Sequence, residues 1–218
     1  MTHFILVRHG ESIWHAENRY AGRSDILLTE HGSVEAALLG RWAQTANLDA
    51  IWVSQLRRSQ DTAAPAVCET GLQPTVDTRL NELDFGQAEG MTSSEMEQRF
   101  PEARQAFLDN PADHPLPGGE DPYKAVERAM ACLRDIEQRY PDGKVLVVMH
   151  STLLRLVLCM LLDIPLRMYR TIFPAISNCA LTEVRIHEQT VGLLRFNSPI
   201  EAHIAITHPD ENSANTAI

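Results

Sequence analysis

The sequence predicts an α/β protein: a three-layer α/β/α sandwich with a mainly parallel central sheet and a short cap insertion. Two observations carry this. Residues 3–7, 50–53 and 144–149 are short apolar runs with the length of buried strands. Stretches with apolar residues at three- and four-residue spacing lie between them, and strands alternating with helices indicate a sheet covered on both faces. At 218 residues and 44% apolar, the chain is long enough to bury a sizeable core without a disulfide or metal.

Taken in order, residues 3–7 form a strand that stops at Arg8-His9-Gly10. Residues 29–46 read as a helix whose inner stripe is Val34, Ala37, Leu38, Arg41, Trp42 and Thr45. Residues 50–53 are a second strand, 56–69 a second helix, and 75–76 a short strand before a loop at 80–90. Residues 91–119 mix short helical stretches with Pro101, Pro111, Pro115, Pro117 and Gly118-Gly119, which marks a cap inserted into the domain. A long amphipathic helix follows, with Val126, Ala129, Met130, Leu133, Ile136 and Tyr140 on one face. Residues 144–149 are a third apolar strand ending at His150, and residues 152–162 a further helix closed by Asp163-Ile164-Pro165. Residues 179–186 and 191–195 read as two late strands. The expected organisation is one domain over residues 1–200, with the cap at about 91–119, and a loose C-terminal tail at 201–218.

The formal net charge is −10, which disfavours broad binding to nucleic acid or an anionic membrane. Such a chain can still take a phosphorylated metabolite through a local cationic pocket, so the position of its arginines matters. Cys68, Cys132, Cys159 and Cys179 are scattered without a C-x-x-C pair, and read as buried thiols in a reducing compartment. The N-terminal apolar run is too short for a signal peptide, and the longest apolar stretch, residues 153–162, carries Arg155 and is too short to span a membrane. A cytoplasmic protein is expected.

In folds of this class ligands bind beyond the carboxyl ends of the strands. Arg8-His9-Gly10-Glu11 follow the first strand, Ser54-Gln55-Leu56-Arg57-Arg58 the second and His150-Ser151 the third. Two histidines and several arginines therefore converge in a chain otherwise rich in acid. Phosphoryl transfer needs a positioned nucleophile and cationic donors around the phosphoryl oxygens. Neutral imidazole suits the first task and the planar guanidinium fork the second. An acid is also needed at the departing oxygen, and the 80–90 loop offers Glu82, Asp84 and Glu89.

Leu6-Val7-Arg8-His9-Gly10-Glu11-Ser12 resembles the signature of the histidine phosphatase superfamily, in its phosphoglycerate-mutase-like branch. Further stretches are similar in the same order. They are Tyr20-Ala21-Gly22-Arg23-Ser24-Asp25, Ser54-x-Leu56-x-Arg58 with Thr62-Ala63, Leu80-x-Glu82 with Phe85-Gly86 and Glu89-Gly90, residues 145–150, and Asn178-Cys179-Ala180-Leu181-Thr182. The resemblance implies that His9 is phosphorylated, that Arg8, Arg58 and His150 hold the phosphoryl oxygens, and that Glu82 exchanges the proton. Gly22, His15 and Ser151 fall at positions it assigns to phosphate or substrate contact. It implies neither a metal nor a cofactor, a small phosphorylated metabolite as partner, and, since related proteins often dimerise, leaves a homodimer open.

Several positions depart from the family pattern. His15 stands where an asparagine is usual, Ala21 where Thr or Gln is common, Gln55 where proline is frequent, and Ser151 where glycine follows the second histidine. Phosphoglycerate mutases carry a lysine after the acid loop and paired cap arginines that hold the substrate carboxylate. Here Met91-Thr92-Ser93-Ser94 lacks the lysine, and the cap offers only Arg99 and Arg104. The expectation is a metal-independent phosphatase of small phosphomonoesters. The alternatives are a bisphosphate-dependent mutase or a non-catalytic phospho-ligand-binding protein.

Overall fold

Each residue from Phe4 to Val7, from Ile51 to Val53 and from Val145 to Met149 is almost completely buried, as central strands covered on both faces require. The computed structural model describes residues 1–187 and 190–200. In chain order β1 (Thr2–Arg8) leads through the short α1 (Ile13–Ala16) to α2 (Glu30–Ala43). β2 (Ala50–Val53), α3 (Arg57–Thr70) and β3 (Pro74–Val76) follow, then α4 (Ser93–Arg99), α5 (Pro101–Asp109) and α6 (Pro122–Arg139). The chain continues with β4 (Lys144–Met149), α7 (Ser151–Leu161), α8 (Tyr169–Ile172), β5 (Leu181–His187) and β6 (Thr190–Ser198). The sheet order is β3-β2-β4-β1-β5-β6. The first four strands in that order are mutually parallel; β5 runs antiparallel to β1, and β6 antiparallel to β5.

Successive strand side chains point to opposite faces, and two helical layers meet them. Ile5, Val7, Ile51, Val53, Leu146 and Val148 pack with Leu39, Trp42 and Ala43 of α2 and Ala63 and Ala66 of α3. Phe4, Leu6, Trp52, Val145, Val147 and Met149 pack with Val126, Ala129, Leu133 and Ile136 of α6 and Leu154 and Val157 of α7. The helix after β1 thus leaves toward one face, and the helix after β4 toward the other. The crevice between these two neighbouring strands opens at their carboxyl ends. Residues 91–119 contribute Met96, Phe107, Ala112 and Leu116 to the same apolar cluster as α6 and α7.

Local signals place the helices. Thr29 accepts the Gly32 N–H at the start of α2, Asp121 accepts the Tyr123 N–H ahead of Pro122 in α6, and Thr92 with Glu95 makes a capping box on α4. α3 ends where Gly71 takes φ +71, a conformation that suits glycine. The inner face of α2 differs from the expected stripe. Val34 is 58% exposed, and Ala37, Arg41 and Thr45 also face outward. The buried face is Gly32, Ala36, Leu39, Gly40, Trp42 and Ala43. Its seam is built from glycine and alanine so that α2 can lie against α3, and apolar periodicity does not register residues that matter by being small. Cys68 is a second correction: it is exposed, whereas Cys132, Cys159 and Cys179 are buried. The expected tail at 201–218 lies outside the described residues. Among those residues, no helix is long and apolar enough to cross a membrane.

A Cβ on Gly40 would stand 2.7 Å from Pro65 Cβ and 3.0 Å from its carbonyl carbon. Gly40→Ala gains about 1 kcal/mol of helix propensity, but overpacking the seam costs about 1–3 kcal/mol. Urea unfolding should show no stabilisation; a clear rise in midpoint would contradict the close approach.

Candidate active site

The register β1↔β4 pairs Arg8 with Met149, so His9 and His150 emerge side by side. Their ring centroids are 5.1 Å apart. His9 is fixed along its backbone: its N–H donates to the Met149 carbonyl at 3.0 Å, and its carbonyl accepts from Asn178 Nδ2 at 2.7 Å. Its Nδ1 lies 2.6 Å from the Gly10 carbonyl. A carbonyl can only accept, so Nδ1 carries the proton and Nε2 keeps its lone pair. Gly10 is tied in turn to Thr62 Oγ1, which donates to the Arg58 carbonyl.

His150 is wholly buried at the start of α7. Its Nε2 lies 2.8 Å from Ser54 Oγ and 3.2 Å from Ser59 Oγ. The Ser54 hydroxyl is donated to Asn81 Oδ1, so Ser54 accepts the proton of His150 Nε2. The other ring nitrogen, Nδ1, is buried with no partner among the described residues.

Arg58 has no exposed surface. Its guanidinium donates to the carbonyls of Gly22 at 2.6 Å and Ser24 at 2.8 Å. That loop is pinned by Glu89, whose carboxylate accepts the N–H groups of Arg23 and Ser24 and the Ser24 hydroxyl. Gly22 is buried behind Arg58, and neither Gly22, Arg58 nor His150 is among the residues lining the cavity; a Cβ on Gly22 would meet Glu89 Oε1 at 2.1 Å and the Leu83 carbonyl at 2.3 Å. Arg8 donates Nη1 to the Ile176 carbonyl at 2.7 Å. The Nε atoms of Arg8 and Arg58, Ser12 Oγ and His15 Nδ1 are all buried and unpartnered among the described residues.

Glu82 separates from the other acids of its loop. It is 4% exposed, and its carboxylate faces the first turn of α7. Oε1 accepts from Leu153 N and Leu83 N at 3.0 Å, and Oε2 from Thr152 N at 2.9 Å. The first turn of α7 thus donates two of its N–H groups to the Glu82 side chain. Asp84 accepts from Gly86 N, and Glu89 holds the 22–24 loop, so neither plays the part of Glu82.

Arg8, His9, Ser12, His15, Glu82 and Ser151 line one cavity of about 180 Å³. The same cavity takes in Tyr20, Phe85, Arg155 and Arg170, to which sequence reasoning gave no role. For Arg155 a signal existed: one charge in the otherwise apolar run of α7, at a depth where an arginine needs a reason. Arg170 offered none. A larger cavity of about 500 Å³ lies across Arg8 and His15, lined by Glu11 and Glu35 among others, but His9 and Glu82 do not reach it. Among the described residues no group of three or more His, Cys, Asp or Glu side chains is placed to hold a metal ion.

Burial, and after it the charge of Arg58, holds the pKa of both His9 and His150 well below the ordinary histidine value. His15 is pushed down to about 4 by burial and by Arg8. Arg8 itself is lowered to about 10, by burial and then by Arg155, and stays cationic at neutral pH.

Unfolded histidines titrate near ~6.5. Below that value the unfolded chain binds protons that the folded chain refuses, so stability falls as the pH drops. Urea midpoints measured from pH 7 to 5 should decline, and less steeply in His150→Gln. An equal slope in the variant would contradict a buried neutral His150. Gly22→Ala should shift the carbonyls that hold Arg58, costing about 1–3 kcal/mol and lowering affinity for vanadate. Unchanged vanadate binding in that variant would rule out the coupling.

Residues 4–199 match the family model described as histidine phosphatase superfamily (branch 1). "Phosphoserine phosphatase 1" of Hydrogenobacter thermophilus is 29% identical over 213 residues, covering 94% of this chain and 100% of that protein. "Probable phosphoglycerate mutase GpmB" of Klebsiella pneumoniae is 30% identical over 184 residues, covering 84% and 85%. Among solved structures, Bacillus stearothermophilus YhfR superposes with a TM-score of 0.87 at 28% identity, covering 94% of this chain and 100% of that one. A mycobacterial glucosyl-3-phosphoglycerate phosphatase complexed with VO3 does so at 0.82 and 25%, covering 90% and 99%. The match runs through both histidines, both arginines and the acid loop, and the chain belongs to the histidine phosphatase superfamily, branch 1.

Proposed function

We propose that this chain is a phosphatase that hydrolyses small phosphomonoesters through a phosphohistidine at His9, with Glu82 moving the proton. The observation that carries the reading is the tautomer of His9: with Nδ1–H held by Gly10, Nε2 keeps its lone pair, and His9 lines one cavity with Arg8 and Glu82.

In the first step His9 Nε2 attacks phosphorus, the N–P bond forms and the P–O bond to the leaving group breaks. Glu82, protonated, gives its proton to the departing oxygen, so an alcohol leaves. Oε1 already accepts two N–H groups and Oε2 one, so the proton is carried at Oε2. In the second step a water attacks phosphorus, the N–P bond breaks and Glu82 takes the proton from the water. Phosphate is released, His9 is neutral again and Glu82 is protonated for the next cycle. Arg8, Arg58 and His150 hold the phosphoryl oxygens throughout, with His15 and Ser151 as further donors at the cavity wall. Gly22 acts through the position of Arg58. The scattered thiols suit a cytoplasmic setting.

The mutase reading draws on a relative's name, and differs in passing the phosphoryl group to a second substrate oxygen instead of water. Release of phosphate from p-nitrophenyl phosphate, with EDTA present and no bisphosphate, separates the two. His9→Ala should lose at least ~10³-fold in rate while remaining folded. Glu82→Gln should lose about 10²–10⁴-fold on alkyl phosphates and much less on p-nitrophenyl phosphate, whose leaving group needs no proton. Substantial turnover by His9→Ala would overturn the assignment, and release that depends on added bisphosphate would favour the mutase.

A further inference from the structure

When Nε2 of His9 bonds to phosphorus while Nδ1 keeps its proton, the imidazole takes on positive charge. The ring is buried, and the cations that act on it are Arg58 and Arg8, so that charge forms in an unfavourable place. In hydrolases that use a histidine base, a carboxylate bonded to Nδ1–H meets this need. Here Nδ1–H meets the neutral carbonyl of Gly10 at 2.6 Å. Behind that carbonyl, however, stands a carboxylate. The Gly10 carbonyl shares its peptide with the N–H of Glu11, which donates to Glu35 Oε2 at 2.7 Å.

Glu35 belongs to α2, whose first turn lies directly on the Gly10–Glu11 peptide. A Cβ on Gly32 would stand 2.1 Å from the Glu11 carbonyl oxygen, and one on Gly10 would stand 2.6 Å from the Gly32 carbonyl oxygen. The Thr29 N–H donates to the Glu11 carbonyl at 2.9 Å, and the Thr29 hydroxyl to Glu11 Oε1 at 2.8 Å. The preceding peptide is held at both ends as well, its carbonyl by Asn178 and its N–H by Thr62. Both peptides after the nucleophile are thus fixed in orientation. Carboxylate, N–H, carbonyl and Nδ1–H form a chain of two short bonds, and bonds in such a chain polarise one another. A charged acceptor at the N–H makes the carbonyl a stronger acceptor at its other end. Burial raises the pKa of Glu35, while the Glu11 N–H, and after it His31, favours the anion.

We propose that Glu35 is a positioning residue for the nucleophile: through the Gly10–Glu11 peptide its carboxylate holds the Nδ1–H of His9 and steadies the charge the ring gains on phosphorylation. The gain in rate rests on the phosphatase reading above, whereas the hold on Nδ1–H is a property of the resting protein. Glu35 does not line the cavity of His9 and Glu82, so it acts on the reaction only through His9. A carboxylate bonded directly to a catalytic histidine is worth about 10⁴-fold in rate. One bond further out, the loss resembles the ~10–100-fold seen when outer partners of a metal-bound histidine are removed. A purely structural role would need only an acceptor for the Glu11 N–H, which a glutamine amide supplies equally well. The negative charge separates the two roles.

The test is Glu35→Gln, which keeps the acceptor and removes the charge, with Glu35→Ala beside it. For p-nitrophenyl phosphate, kcat/KM covers the steps up to phosphorylation of His9. It should fall about 10-fold in Glu35→Gln and about 100-fold in Glu35→Ala. The second readout needs no turnover. In protein labelled with 15N-histidine, the Nδ1–H resonance of His9 is identified by its absence from His9→Ala. It should move upfield in Glu35→Gln, as a weakened hydrogen bond requires. A kcat/KM equal to wild type in Glu35→Gln, or a resonance that does not move, would overturn the proposal. If Glu35→Ala does not fold, Glu35→Gln alone decides. If the wild-type protein releases no phosphate, the phosphatase reading has failed. The resonance then decides for Glu35: an upfield shift upholds its hold on His9, and a fixed position overturns it.

Discussion

A guanidinium taken wholly out of water must be resolvated by the protein, and meeting that demand for Arg58 organises much of this molecule. No carboxylate lies within salt-bridge distance of it among the described residues, so its charge is spread over the carbonyls of Gly22 and Ser24. Those carbonyls are available only because the loop bends around Glu89, and the loop can sit there only because Gly22 has no side chain. Asp25, the next residue along, accepts the N–H of Arg57 and so fixes the start of the helix that carries Arg58. The result is a cation held by neutral dipoles. Its charge is felt by His9 and His150 and kept from being cancelled before an anion arrives.

The same economy governs the acids. The chain is acidic overall, yet the carboxylates around the cavity are engaged elsewhere. Glu89 holds a loop, Glu120 holds Arg128, and Glu82 accepts the N–H groups of α7. Local positive potential in a chain of charge −10 comes from this allocation of partners. Net charge governs behaviour at a distance, and the partnering of each group governs a site.

Much of this was legible in the residues alone, for identifiable reasons. β1, β2 and β4 are near-continuous apolar runs, which central parallel strands must be, and the residues just beyond them had to face the crevice. His9, His150 and Arg8 were found that way, and Glu82 from its place in the acid loop. The inner face of α2 differs from its apolar periodicity because Gly32, Gly40 and Ala36 contribute closeness, which hydropathy does not measure. The role of Gly22 was assigned by motif position to contact with substrate, whereas its place is behind Arg58. Arg155 and Arg170 come from separate elements, α7 and α8, and line one cavity only when α8 folds back toward Tyr20. No spacing in the chain encodes that meeting.

One detail of His150 bears on how the site is loaded. Its Nε2 proton is committed to Ser54, whose own hydroxyl is committed to Asn81, so the pattern cannot be reversed without breaking both bonds. The ring is neutral, and Nδ1 therefore bears a lone pair. Under the role proposed for His150, a phosphoryl oxygen at Nδ1 would meet no donor until that nitrogen gained a proton of its own. The arriving negative charge is what makes the gain favourable. Substrate and proton are then taken up as one thermodynamic unit, and the departing phosphate returns the proton to solvent, so occupancy of the site is itself a titration.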